Sequence, residues 1–130
     1  MEYTYRASLD DMPTTILLAE YNLTVKKGKQ ETVIPYAVVN EVVLKRSSGK
    51  LFQAKLFTEG ARPILVTNTY CSSAKDVEDR SRAYSTFVRV LHYHLKDKSK
   101  ANFATMSDFM KLFRIPKKYS PTDIPLEFLP

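Results

Sequence analysis

The first two-thirds of the chain alternates short apolar stretches with turn residues. Between residues 51 and 58, Phe52, Ala54 and Leu56 share one face of an extended strand, whereas Gln53 and Lys55 point the other way. Turn signals separate such stretches at Lys26-Lys27-Gly28-Lys29, Ser47-Ser48-Gly49 and Glu59-Gly60-Ala61. Short loops favour an antiparallel meander over βαβ units. The pattern therefore predicts six or seven antiparallel strands in a mainly β (α+β) domain.

The period of the apolar positions then changes to that of a helix. The apolar stripe consists of Val77, Tyr84, Phe87, Val88, Leu91 and Leu95, and the opposite side carries Arg82, Arg89 and Lys96. Ser73 with Asp76 three residues later resembles a capping box. Glu78 and Asp79 add negative charge, which is favourable in the first turn of a helix. The sequence predicts an amphipathic helix over residues 76–96, with Phe87 and Leu91 in the core.

Residues 97–130 form a C-terminal extension to a domain that covers residues 1–96. Thr105 and Asp108 resemble a second capping box, which predicts a short helix over 106–114 that ends at Pro116. The last ten residues contain three prolines and are expected to be extended. We expect the extension to pack on the same domain.

Two stretches resemble bacterial members of the pleckstrin-homology (PH)-like superfold. The first contains Leu23-Thr24-Val25, Val33-Ile34-Pro35-Tyr36, Val39 and Val42-Val43-Leu44, and the second contains Tyr84-Ser85-Thr86-Phe87-Val88, Leu91 and Leu95. The likeness spans residues 14–95. It implies a barrel or sandwich of strands closed by the amphipathic helix. It also implies a domain that binds phosphoinositides or other proteins.

Basic residues form the candidate ligand-binding set. The net charge is +6, with surpluses in residues 26–50 and 96–118. In lipid-binding PH domains the loop between the first two core strands holds head groups, and the resemblance matches it to Lys26-Lys27-Gly28-Lys29. The candidate residues are Lys26, Lys27, Lys29, Lys111, Arg114, Lys117 and Lys118. Such residues are suited to bind an anionic lipid, a phosphate or a nucleic acid.

The sequence offers no catalytic or metal-binding motif and implies no cofactor. His92 and His94 lie two positions apart on the predicted helix and point to nearly opposite sides, so one is expected to be structural and the other solvated. Cys71 is the only cysteine, which excludes an intramolecular disulfide and a thiolate cluster. We expect a chain that is not an enzyme.

The function predicted from the sequence is a non-catalytic interaction module that binds a protein partner. Ile124, Leu126 and Phe128 alternate along the proline-rich tail and are the candidate partner-binding residues. The alternatives are packing of the tail on its own domain, and weak binding of an anionic ligand, a membrane surface or nucleic acid through the basic residues. No apolar run is long enough for a transmembrane segment, and a cytoplasmic location is expected.

Overall fold

A computed structural model describes residues 1–47, 50–107 and 116–130. The strands are β1 (Glu2–Tyr5), β2 (Thr14–Leu18), β3 (Asn22–Lys27), β4 (Gln30–Pro35), β5 (Val39–Arg46), β6 (Phe52–Thr58), β7 (Ile64–Thr67), β8 (Thr69–Cys71), β9 (Val77–Asp79), β10 (Asn102–Ser107) and β11 (Lys117–Lys118). The helix α1 spans Ser81–Lys98, and 3-10 helices cover Tyr36–Val38 and Leu126–Phe128.

Two main sheets form a sandwich. One is an antiparallel sheet in the order β1-β2-β3-β4, and the other has the order β11-β10-β5-β6-β7. The seven strands β1–β7 are those expected from the sequence, and α1 follows them. Together they confirm the PH-like, mainly β fold class. Hydrogen bonding between the described strands leaves the two sheets separate, so the architecture is a sandwich rather than a closed barrel.

The hairpin between β3 and β4 depends on a glycine. Gly28 has a φ of 62°, which L side chains rarely adopt, and the two-residue turn Gly28-Lys29 closes the Lys27–Gln30 pair. A Cβ at this position would also lie 2.6 Å from the Cε of Met12. The backbone angle therefore favours glycine there, whereas the exposed Met12 side chain is free to move aside.

The core lies between the inner sheet faces and α1. Phe52, Ala54 and Leu56 all point inward, as the alternating pattern predicts. Phe87 and Leu91 have no exposed surface, and the Phe87 ring stacks on Tyr3 with a centroid separation of 5.4 Å. The apolar helix stripe thus supplies one wall of the core, which confirms its predicted role.

The helix begins later than the sequence suggests. It starts at Ser81 instead of residue 76, because Val77–Asp79 pairs with β8 as a short strand. Val77, assigned to the apolar stripe, is 58% exposed. The Asp79 carboxylate accepts the Ser81 N–H at 2.9 Å, and hydrogen bonds from Ser81 lower the pKa of Asp79. The acidic cluster therefore lies before the helix.

The C-terminal extension differs from the predicted short helix. Residues 102–107 form β10, which runs parallel to β5, so the larger sheet is mixed and not an antiparallel meander throughout. Thr105 is buried within this strand, and its hydroxyl donates to the Lys117 carbonyl instead of capping a helix. The prediction is wrong for residues 106 and 107, and residues 108–114 lie outside the described ranges.

The tail folds back on α1 and β5. The Ser85 hydroxyl donates to the Pro130 carbonyl at 2.8 Å, and the Arg46 guanidinium donates to the Glu127 carbonyl at 3.4 Å. Because Leu126–Phe128 is a 3-10 helix, its side chains do not alternate as in an extended chain. Phe128 enters the core with 5% exposure, whereas Leu126 is 74% exposed.

Tyr84 carries a core hydroxyl that the fold does not need. Its side chain is fully buried, and the oxygen has no hydrogen-bond partner within the described part of the chain. Burial raises the pKa of this phenol. Removing an unsatisfied buried hydroxyl relieves its desolvation cost, so Tyr84→Phe is expected to stabilise the fold by about 1 kcal/mol.

Urea unfolding of Tyr84→Phe beside Tyr119→Phe provides the measurement and its control. The Tyr119 hydroxyl lies 2.6 Å from His92 Nε2, so its removal leaves a buried acceptor unpaired and is expected to cost about 1 kcal/mol. A loss of stability in Tyr84→Phe would contradict the assignment of an unsatisfied hydroxyl.

Candidate interaction surfaces

An apolar groove of about 360 Å³ lies on the outward face of the larger sheet. Its walls come from β5, β6, β7 and β10, and Pro116 closes one side. We call it the sheet-face groove; it is lined by Glu41, Val43, Lys45, Gln53, Lys55, Phe57, Leu65, Met106 and Pro116. Four of these side chains are large and apolar on a face that usually carries polar residues.

The strand register explains how the groove forms. Val43 lies opposite Lys55, which in turn lies opposite Leu65, so the three side chains form one row across the sheet. Leu65 is 41% exposed. The Lys55 ammonium lies 5.4 Å from the centroid of the Phe57 ring, beside the apolar surface. The groove thus combines apolar walls with charged residues, namely Lys45, Lys55 and the Glu41 carboxylate.

Sequence reasoning did not identify this groove, although the sequence contains a signal for it. Val42-Val43-Leu44 is a continuous apolar run, and Leu56 is followed by Phe57. Since neighbouring strand residues face opposite sides, one member of each run must point outward. The structure places Val43 and Phe57 there.

The five predicted basic residues that the structure describes lie in two places. Lys26, Lys27 and Lys29 are exposed around the β3–β4 turn of the four-stranded sheet, and the Lys26 ammonium lies 3.9 Å from Glu31. Lys117 and Lys118 are exposed in β11, at the edge of the other sheet. The remaining candidates, Lys111 and Arg114, lie outside the described residues.

The predicted partner-binding residues are also divided. Phe128 belongs to the core and cannot reach a partner without opening the domain, whereas Ile124 packs against the core and remains partly exposed. Leu126 alone among the three is well exposed. This arrangement corrects the idea of a free tail that presents all three side chains, because the tail uses two of them for its own packing.

His92 has the structural role expected for one of the two histidines. It is buried, its Nδ1 lies 2.7 Å from the Val88 carbonyl, and its Nε2 lies 2.6 Å from the Tyr119 hydroxyl. A carbonyl only accepts, so Nδ1 carries the proton and Nε2 accepts from Tyr119. Burial lowers the pKa of His92 to about 4. The bond joins α1 to the C-terminal segment.

His94 is only partly exposed, in contrast to the fully solvated position expected. Its ring stacks on Tyr36 with centroids 5.0 Å apart, and its Nδ1 accepts from the Lys98 ammonium at 3.0 Å. Partial burial and the Lys98 charge lower its pKa. Within the described ranges, no three His, Cys, Asp or Glu side chains are grouped closely enough to hold a metal.

A second cavity, of about 310 Å³, lies between the outer side of α1 and the returning tail. The helix contributes Arg89, Tyr93 and Lys96 to this cleft, and the tail contributes the other residues. We call it the helix–tail cleft; its tail residues are Pro121, Thr122 and Ile124. The sequence showed that Arg89 and Lys96 share the polar side of the helix, but not that the tail packs beside them.

Comparison with known proteins adds a likeness of fold. No family model and no curated protein matches the sequence. The solved structure of the Spt16D Pob3N heterodimer resembles the chain with a TM-score of 0.50 and 10% sequence identity over 82% of this chain. The match covers 54% of that solved chain, so the present chain spans about half its length. At this identity the likeness concerns the fold alone.

No helix in the described residues has the length and hydropathy needed to cross a bilayer.

Proposed function

We propose that the chain is a non-catalytic module that binds a protein partner through the sheet-face groove. The observation that carries the proposal is a group of partly exposed apolar side chains around Lys55 on the outward face of the larger sheet. Val43, Phe57 and Leu65 retain exposed surface, although the inner face of the same strands already supplies the core. Exposed apolar surface of this kind is typical of protein interaction sites.

The chemistry of the groove suits an apolar segment with acidic flanks. The walls offer Phe57 and Met106 for apolar contact, while the Lys55 ammonium lies at the rim. Charged rims steer a partner and set its register, and the buried apolar centre supplies affinity. Affinity is therefore expected to depend mainly on the apolar residues, with a modest effect of salt on the association rate.

The fold, the apolar pattern and the single cysteine of the chain also fit an interaction module. The solved structure with the similar fold is a heterodimer, which is compatible with an interaction role. The apolar pattern of residues 14–95 supports affiliation with the bacterial type of PH-like domain. The single cysteine, partly buried with its sulfur 3.3 Å from the Ala7 carbonyl, is consistent with a reducing cytoplasm.

Leu65→Asp is expected to abolish capture of the partner. The substitution places a carboxylate at the β7 end of the row formed by Val43, Lys55 and Leu65, while leaving the core side of β7 unchanged. The matched control is Val33→Asp, since Val33 is 58% exposed on β4 of the other sheet. Immobilised wild type, Leu65→Asp and Val33→Asp are compared by quantitative mass spectrometry of proteins retained from the native host.

The proposal is supported if a protein is retained by the wild type and by Val33→Asp but is lost from Leu65→Asp. Sedimentation of the purified chain shows whether that protein is another copy of the chain. If no captured protein depends on Leu65, the groove is not the binding site and the proposal is wrong.

A further inference from the structure

The helix–tail cleft shares no residue with the sheet-face groove and has a different chemistry. Two cations and an aromatic ring from α1 face a wall made by the tail. No carboxylate is among the residues that line the cleft. A ligand for this cleft would therefore carry negative charge next to a flat or apolar group.

The two cations of the cleft are not neutralised by the protein. In the part of the chain that the structure describes, the ion pairs are Lys26–Glu31 and Arg80–Glu78, and neither Arg89 nor Lys96 has a hydrogen-bond partner. Both side chains are exposed. Unpaired cations on one side of a helix attract anions most strongly at low ionic strength.

Helical geometry places an aromatic platform between the two cations. Arg89 and Lys96 are seven residues apart, so they lie on the same side of α1 with a rise of about 10 Å between them. Tyr93 lies between them on that side and is 67% exposed. A flat group stacked on this ring has one cation toward each end of the helix.

We propose that the helix–tail cleft binds a nucleotide unit of a single-stranded nucleic acid. The base stacks on Tyr93, and the phosphates on its two sides contact Arg89 and Lys96. Stacking on an exposed aromatic ring combined with cations along the backbone is how proteins bind single strands without sequence preference. The volume of about 310 Å³ is large enough for a single nucleotide.

An exposed ring between the cations favours a nucleic acid over an acidic peptide. A peptide of Asp and Glu residues would use the charges of Arg89 and Lys96, but it has no flat group for Tyr93. The Arg82 side chain continues the same side of the helix toward its start and is exposed. It lines a separate pocket together with Glu2, Glu78 and Asp79, however, so the strand is assigned to Arg89 and Lys96 alone.

Fluorescence anisotropy with a labelled twelve-nucleotide oligothymidylate tests the proposal. Tyr93→Leu is expected to weaken binding about tenfold, and Tyr93→Phe is expected to retain it because the phenyl ring still stacks. Arg89→Gln and Lys96→Gln are each expected to weaken binding about fivefold and to lower the slope of log affinity against log salt by about 0.7. Arg62→Gln, an exposed arginine outside the cleft, is the matched control.

Each competitor gives a distinct outcome. Unlabelled oligothymidylate is expected to displace the probe at much lower concentration than polyglutamate or adenosine triphosphate. Equal competition by polyglutamate would show that charge alone drives binding, and equal competition by adenosine triphosphate would exclude a strand. Equal affinity of Tyr93→Leu and Tyr93→Phe, an equal loss in Arg62→Gln, or no binding at low salt would overturn the proposal.

Discussion

Replacing Phe87 by alanine is expected to lower the free energy of unfolding by about 3–5 kcal/mol. The ring is fully buried and stacks on Tyr3, which in turn packs edge-on to Tyr84. The substitution removes the transfer free energy of the ring and leaves a cavity between α1 and the sheets. Since domains of this size are stable by only about 5–15 kcal/mol, the loss is a large part of the total.

Chemical denaturation followed by circular dichroism measures this effect. Tyr93→Ala is the matched control, because it also removes an aromatic ring from α1 but at a position that is 67% exposed. That variant is expected to lose less than about 1 kcal/mol. Similar losses in the two variants would mean that α1 does not close the core.

Acidification is expected to destabilise the fold through His92. The buried ring has a pKa of about 4, whereas an unfolded histidine has a pKa of 6.5. Below pH 6.5 the unfolded chain therefore binds a proton that the folded chain binds only near pH 4. Stability is highest above pH 6.5 and falls as the pH is lowered toward 4, with a loss of about 1 kcal/mol between pH 7.5 and pH 5.5.

The hydrogen bonds of His92 explain why its neutral form is favoured. Nδ1 donates to Val88 and Nε2 accepts from Tyr119. A second proton on Nε2 would face the Tyr119 hydroxyl, which would then have to accept and find another acceptor for its own hydrogen. The bond that holds the C-terminal segment on α1 is therefore disturbed by protonation.

Urea unfolding at several pH values between 7.5 and 5.5 provides the test, since carboxylates titrate mainly below this window. His92→Gln is expected to lose most of the pH dependence, whatever its stability at pH 7.5. His94→Gln is expected to keep most of it; the pKa of His94 is also lowered, but its ring is more exposed. An unchanged pH dependence in His92→Gln would contradict the assignment.

Local patterns were sufficient to predict much of the fold. The inward face of β6 followed from alternation at Phe52, Ala54 and Leu56, and the buried face of α1 followed from helical spacing. These signals arise from residues close together along the chain, so they can be recognised in a single sequence without knowledge of the fold. The turn at Gly28 could also be predicted locally, because a positive φ favours glycine and the glycine is visible in the sequence.

Contacts between distant segments could not be predicted in this way. The pairing of β10 with β5 depends on an edge that only the folded sheet defines. Likewise, β9 has no apolar alternation and forms because β8 lies beside it, which moves the start of α1 to Ser81. The helix–tail cleft requires that Thr122 lie near Arg89, a proximity that no local spacing indicates.

The parallel pairing of β10 with β5 determines an order of events while the protein is being synthesised. β5 leaves the ribosome before α1, and β10 follows only after that helix. During that interval the nascent chain has one side of β5 without a strand beside it. An open strand edge can recruit a neighbouring chain, and polysomes bring such chains close together. Translation speed over residues 81–107, and chaperones that bind during that interval, are therefore expected to influence the yield of correctly folded protein.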